Sequence, residues 1–433
     1  MRLLRALLQG LCKTFRHSRA GGNPASFAGA EGAESLDSRV RGNDCVVVSC
    51  GAARRVSSRW SASLALLACA LATAAEQPSD WYKRLQENRP LAALHGVRQM
   101  PGMEQVAAQI GVFVGDETGG CTLFGRSAFP GDAGYRDALD AITGAAAGRR
   151  VVMLNESHFR TVHRAFLLRV IERLHTQGFD ALAAEVLHRK APEQLAGGPV
   201  DVSTGFYTSD PVFAAALRRA QTLGWDFVHY EAMGDGDRDA REAGQARNLA
   251  DWLQRNPDRR LLVYAGGSHI SKVADDGWMA ARLIAETGDE PLTIQQAATA
   301  CPATADAWPI QSAVAQVAFR DGVPVRGSGD ADLMVLHPPA AVDAAKSVLG
   351  VWTPICVTPA AHETLLRAFA PGDPDNAIPH DQVRVAPGAR AAALWLSPGR
   401  YRIEREDLDG RQLLGHASVA ATPVEDCVSP VSD

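Results

Sequence analysis

The sequence predicts an α/β fold: a parallel sheet flanked by helices, followed by a small β-rich C-terminal domain. Three observations predict it. Between residues 135 and 300, short apolar runs alternate with amphipathic helical segments. The helical segments close at Gly178, Gly224, Pro257 and Gly288, residues that stop a helix. After residue 300 the helical pattern gives way to short strand-like words punctuated by Pro and Gly.

The elements follow in order. A helix within 135–150 leads into a strand at 150–154. Val162, Phe166, Val170, Ile171 and Leu174 then mark one face of a helix at 3.6-residue spacing. Strands are expected at 180–187, 225–232, 260–269 and 291–296, with helices at 210–224, 239–257 and 277–288 between them. Strands that alternate with helices form βαβ units and a parallel sheet. Residues 76–134 form an N-terminal extension without an assignable pattern, and 135–300 form the α/β domain. Residues 309–433 read as the β-rich domain, a small sandwich with a hairpin around Asp409–Gly410.

The start of the chain has a different character. Residues 1–52 are small, polar and aperiodic, and their Gly-Gly-Asn-Pro and Arg-Gly-Asn-Asp words resemble a translated interspersed bacterial DNA repeat. They read as a disordered leader or one foreign to the folded protein, upstream of the true start codon. Residues 53–75 carry the marks of a signal peptide. Arg54, Arg55 and Arg59 precede a short apolar run, and Ala72-Thr73-Ala74 fits a cleavage site. The expected location is periplasmic or secreted. Leu66-Leu67-Ala68-Cys69 also fits a lipobox, so the alternative is a lipoprotein anchored at Cys69, the one route by which a membrane partner is expected.

Charge narrows the partners. Beyond residue 75 the chain holds 34 basic and 45 acidic residues, with no basic stripe, which argues against a nucleic-acid partner. Cys121, Cys301, Cys356 and Cys427 remain in the body, and an exported chain can pair them. Four cysteines allow three full pairings, among which the sequence does not choose. Oligomeric state is likewise left open.

In an open parallel sheet, ligands bind beyond the carboxyl ends of the strands. The first strand is followed by Glu156 and His158, the second ends near Glu185, and the third near His229 and Glu231. The fourth ends in Gly266-Gly267-Ser268-His269. Each residue alone is as readily a helix cap or a solvated loop residue; four deliveries to one edge point to a site. Histidine near neutral pH serves as a general base, and a neighbouring carboxylate orients it. His and Glu are also metal ligands, but no His-Glu-x-x-His helix is present. Gly-Gly-Ser-His-Ile at 266–270 lacks the last glycine of a nucleophile elbow, which makes Ser268 a weak nucleophile. Neither a dinucleotide fingerprint nor a Walker motif follows any strand. On the helix at 239–257, Arg241, Glu242, Gln245 and Asn248 share one face near its start, where Arg241 can hold an anionic oxygen.

These residues resemble the erythromycin esterase and ChaN-like superfamily, also linked to the haem-binding uptake and Tiki proteins. The opening block at 151–185, Arg241-Glu-Ala-Gly-Gln-Ala-Arg-Asn-Leu249 and Val263-Tyr-Ala-Gly-Gly-Ser-His269 occur in the family's order. The resemblance covers about residues 135–300 and implies a parallel α/β sheet with its site at the strand ends. It implies ester hydrolysis by a His-activated water, haem binding in ChaN-like members, or metal-dependent proteolysis in the Tiki branch. Carried over by position, His158 is the base, Glu185 orients it or acts as an acid, and His269 and Arg241 bind the oxyanion beside Glu156. Glu231, His229, Glu242, Asn248 and Ser268 would contact a small-molecule substrate or ligand. No cofactor is expected in the esterase reading; haem, or a divalent metal on Glu156, His158, His229 and His269, belongs to the alternatives. Asn155 stands where the family has glycine, Gln245 where it has Met, and Tyr264 where a His or apolar residue is common. Asn at 155 is expected to preserve a left-handed turn.

Overall fold

The computed structural model describes residues 80–123, 132–232, 237–297, 314–338 and 342–432. The expectations for the leader, the signal peptide, Cys69 and Cys301 lie outside the described residues, as does the side chain of Cys121.

The extension that lacked a pattern is helical: α1 (Asp80–Gln86), α2 (Pro90–Arg98), α3 (Glu104–Phe113) and α4 (Thr118–Leu123). Pro90 opens α2 at a position where its missing N–H costs nothing. Leu91, Leu94, Val97, Ile110 and Phe113 are buried, so these helices pack onto the body of the protein.

The sheet domain runs β1 (Gly134–Asp137), α5 (Ala138–Ala146), β2 (Val151–Glu156), α6 (Thr161–His175), β3 (Ala181–Ala184), α7 (Ala191–Leu195), α8 (Pro211–Thr222), β4 (Asp226–Val228), α9 (Arg238–Arg255), β5 (Leu261–Gly266), α10 (Met279–Thr287) and β6 (Leu292–Gln296). It continues through β7 (Gln316–Arg320), β8 (Val323–Pro324) and β9 (Leu333–Leu336). The strand order is β1-β7-β9-β6-β2-β5-β3-β4, with β8 on β7. From β9 to β4 the neighbours are parallel; β7 and β1 extend the edge antiparallel. The sheet thus takes in residues 316–336, beyond the break expected near 300–309.

The apolar run of each central strand splits between two cores. Val152, Leu154, Leu182, Leu262 and Tyr264 face α6, α8 and the N-terminal helices. Val151, Met153, Ala183, Leu261 and Val263 face α9 and α10. Strands buried on both faces read as near-continuous apolar words, which is why the sequence announced them. The strands are shorter than expected where the site begins. β3 stops at Ala184 and β4 at Val228. Beyond them the Glu185 N–H still donates to the Tyr264 oxygen on β5, while the side chains of Glu185 and Glu231 engage partners across the sheet end. β5 stops at Gly266, and Gly267–Ile270 forms a 3₁₀ turn. β2 by contrast runs on to Glu156, so Asn155 is extended strand and not a left-handed turn residue. From β2 the chain leaves toward β3 and β4 over one face; from β5 it returns toward β6 over the other. The crevice between the carboxyl ends of β2 and β5 is therefore the switch point at which such sheets bind ligands.

After α11 (Val342–Ala345) the chain forms β10 (Val351–Cys356), β11 (Thr364–Phe369), β12 (Asp381–Val385), β13 (Ala391–Leu396), β14 (Gly399–Glu406) and β15 (Arg411–Val419). β10 pairs with β13, and β12-β11-β14-β15 form a second antiparallel sheet. Ile355, Leu366, Leu394, Leu396 and Ile403 fill the space between the two sheets. The β14–β15 hairpin turns at Asp407–Gly410, around the expected Asp409–Gly410. The N-terminal helices bind this module: Glu406 accepts from the backbone N–H groups of Leu91 and Ala92, and Arg367 donates to Asn88. No described helix is long and apolar enough to cross a membrane.

Of the four body cysteines, Cys356 and Cys427 form a disulfide across 71 residues. It pins the chain end, where Val428 bridges to Ile355 and Val431 to His416, tying one sheet to the other. Closing a loop of this length restricts the unfolded chain. Reduction, or Cys427→Ser, is expected to cost about 2–4 kcal/mol of stability in this module. A lower thermal midpoint in reducing buffer checks this; an unchanged midpoint contradicts it.

Candidate functional site

Glu156 closes β2 and is buried. Its Oε1 lies 2.6 Å from His158 Nδ1, and its Oε2 accepts from Tyr264 Oη at 2.8 Å and from Arg164 Nε at 3.1 Å. Arg164 has no exposed surface and also donates to Asp210 at 2.6 Å. Burial by itself would raise the Glu156 carboxyl, but Arg164 and His158 overcome it and hold Glu156 down at about 2. Glu156 is therefore an anion that fixes His158 by one ring nitrogen. Nε2 of His158 points the other way, 3.7 Å from Glu185 Oε2. A Cβ on Gly266 would sit 2.6 Å from His158 Nε2 and 2.9 Å from Glu185 Oε2, so only glycine leaves this approach open.

Glu185 joins the first half of the cluster to the second. Its Oε2 accepts from the Gly266 N–H, and its Oε1 lies 3.1 Å from Arg241 Nη2 and 3.5 Å from His269 Nε2. Val186, the next residue, is left-handed at φ 62°, a strained conformation for a β-branched side chain. The twist turns the Val186 N–H onto Glu231 Oε1 at 2.9 Å. Glu231 also receives Arg241 at 3.2 Å and Gln245 at 3.0 Å. His269 is held from behind by Glu242 Oε2 at 2.9 Å, which also accepts from the Met279 N–H. Trp278 packs edge-on against the His269 ring.

Electrostatics sort these groups. Burial opposes ionisation of Glu185, but His269, His158 and Arg241 hold its carboxyl well below the usual range. Glu185 is thus not the acid that the sequence allowed it to be. Burial would lower His269, yet Glu185 and Glu242 raise it to about 10, so it is a cation at neutral pH. With both ring nitrogens protonated, it does not accept from Arg241, whose Nη1 lies 3.3 Å away; the two cations share Glu185. The side chains of His158 and Arg241 keep 15% and 23% of their surface exposed, which leaves them the groups a ligand can reach.

The structure brings together Glu156, His158, Glu185, Glu231, Arg241, Glu242 and His269. Asn248 stands behind them, donating to the backbone oxygens of Tyr230 and Glu231. His229 turns away to the Leu187 oxygen, and Ser268 is exposed on the turn, without contact to His158 or Glu156 among the described side-chain bonds. The set Glu156, His158, His229 and His269 therefore does not converge. Among the described residues no group of three or more His, Cys, Asp or Glu side chains stands where it could hold a metal ion. A shallow cavity lined by Arg98, Glu104, Gly111 and Asp116 shares no lining residue with the cluster.

A second network, missed in the sequence, braces the two turns. Asn155 donates to the Gly267 oxygen at 3.2 Å and accepts from the Gln296 N–H at 2.6 Å. His163 Nδ1 accepts from the Ser157 N–H at 2.9 Å. Burial lowers His163 to about 3, so it is neutral.

These shifts set the pH dependence. His163 has a folded value depressed below the usual 6.5, so the unfolded chain takes up the proton first and stability falls as pH drops from 6.5 toward 3. His269 has a raised folded value, so its contribution is full below 6.5 and is lost as pH rises toward 10. Glu156 adds a loss as pH falls from 4.5 toward 2. Urea midpoints measured against pH are expected to decline on both sides of 6.5. His163→Gln should flatten the acid side and His269→Gln the alkaline side; unchanged profiles contradict the assignment.

No family model matches the chain, and no curated protein matches it. Among solved structures it is similar to the type III effector HopBA1, with 14% identity, a TM-score of 0.34, and coverage of 48% of this chain and 97% of that one. It is also similar to RRSP, a MARTX toxin effector domain from Vibrio vulnificus, with 14% identity, a TM-score of 0.27, and coverage of 49% and 44%. A structure described as bacterial protein toxins gives 12% identity, a TM-score of 0.28, and coverage of 49% and 56%. Likenesses at this level bear on neither the fold nor the activity.

Proposed function

We propose that the protein is a hydrolase that cleaves an ester or related acyl bond with a water activated by His158, as the resemblance to the erythromycin esterase/ChaN-like superfamily implies. The observation that carries this reading is the Glu156–His158 pair at 2.6 Å, with Nε2 directed at Glu185 across the open approach above Gly266. Glu156, ionised, takes the Nδ1 proton in a hydrogen bond and leaves the Nε2 lone pair free to accept a proton. A water beside Nε2 and Glu185 Oε2, hydrogen-bonded to both, gives up a proton to His158 as its oxygen attacks the acyl carbon. Negative charge develops on the acyl oxygen, where the Arg241 guanidinium meets it and the His269 cation, held behind Glu185 and Glu242, adds its positive field. The protonated His158 then gives that proton to the leaving oxygen or nitrogen as its bond to the acyl carbon breaks, which releases the alcohol or amine and leaves the carboxylic acid. Glu231 and Glu242 hold the two cations in place and keep them charged.

Ligation of haem iron by His269 would require displacing Glu242 or Glu185, since each ring nitrogen faces one of them. Residues 76–433, exported and purified, should hydrolyse members of an ester and amide panel at the same rate with and without chelator. Turnover that disappears in chelator and returns on adding zinc or manganese would overturn the metal-free reading.

A further inference from the structure

A hydrogen bond at Nδ1 fixes one atom of an imidazole but leaves the ring free to swing about that bond. The plane of His158 is set by a second residue. Tyr207, in the 3₁₀ turn Tyr207–Ser209, lies with its ring 4.1 Å from the His158 ring at an interplanar angle of 15°. It is buried and itself held on several sides. Phe206 packs edge-on at 5.3 Å, the Arg164 guanidinium carbon stands 5.6 Å from the ring, and the hydroxyl accepts from Gln109 Nε2 at 3.3 Å. Burial beside Glu185 and Glu156 keeps the phenol neutral. Gln109 belongs to α3 and is buried, so the contact reaches the site from the N-terminal helices.

We propose that Tyr207 is a positioning residue for His158. This rests on the reading of His158 as the base, and it adds to that reading what sets the plane of the ring. With the ring plane fixed by the stack, Nε2 is directed at the space beside Glu185. Without it the ring turns about its bond to Glu156, and a misplaced base costs rate and not affinity.

Two measurements on the full exported chain test this. In the native protein, the His158 ring protons should show nuclear Overhauser contacts to the Tyr207 ring, and the Nδ1 proton bonded to Glu156 should appear as a low-field resonance, assigned by its loss in His158→Ala. Absence of the ring contacts overturns the proposal without any variant. Tyr207→Leu should broaden or abolish the low-field resonance and lower kcat about 10- to 100-fold with little change in KM. Tyr207→Phe, which keeps the stack and loses only the Gln109 bond, should restore both. Native resonance and native kcat in Tyr207→Leu would overturn it. A turnover that survives His158→Ala refutes the assignment of His158 as the base instead, and the ring contacts still decide whether Tyr207 sets the imidazole plane.

Discussion

Arg164→Met is expected to destabilise the sheet domain by about 3–5 kcal/mol, the cost of leaving a buried charge without its partner. The guanidinium is fully buried between Glu156 and Asp210, at 3.1 Å and 2.6 Å. Methionine fills much of the volume but supplies no positive charge. Two carboxylates would then face each other in an apolar setting of Phe113, Phe213 and Tyr207. One relief is protonation of Glu156, which removes the anion that orients His158. Denaturant unfolding at pH 7 checks the magnitude, and the loss should shrink as pH is lowered through the carboxylate range. A variant as stable as the native chain would show that Glu156 and Asp210 are not charged together.

Glu156→Gln is expected to lower turnover by about 10²- to 10⁴-fold. The reason is the tautomer. A carboxylate at 2.6 Å from Nδ1 keeps the proton there and leaves Nε2 as the acceptor. A Gln amide that donates to Nδ1 reverses the arrangement and puts the proton on Nε2, where the base is needed. Gln is close in size, so the turn and the Tyr264 contact have partners to reform. The check is kcat/KM for native and variant proteins on the same substrate, with thermal melts to confirm that both are folded. Equal values would remove Glu156 from the mechanism.

Much of the site was legible because parallel strands end in order along one edge. Glu156, His158, Glu185 and His269 were read from strand ends, and Arg241 and Glu242 from one face of a helix. What was not legible depends on contacts between distant segments. Arg164 lies beside an apolar helical stripe and reads as a surface residue; its burial follows from Asp210, 46 residues later. A signal was present at Tyr264, a buried-strand tyrosine just before the glycine turn, whose hydroxyl needs a polar partner and finds Glu156. Tyr207 and Gln109 offered no pattern, since a 3₁₀ turn and an unassigned segment supply them. His229 and Glu231 both lie past the end of β4 at Val228, yet only Glu231 joins the cluster, because the His229 ring bonds to the Leu187 oxygen, a contact between separate segments that strand-end position does not carry. At Asn155 backbone tolerance is not what matters: its side chain joins the end of β2 to the Gly267 turn and to β6. The large sheet runs on past residue 309 because β7 and β9 pair onto its edge, a contact that strand words alone do not assign to one sheet or the other.

The central claim is that His158 is the base. Its most direct test is hydrolysis of one ester substrate by the native chain and by His158→Ala, purified alike and assayed in chelator. The account predicts turnover by the native protein and a loss of about 10²- to 10⁴-fold in the variant, with a cooperative melt that shows the variant is folded. Equal turnover by the two proteins would contradict it.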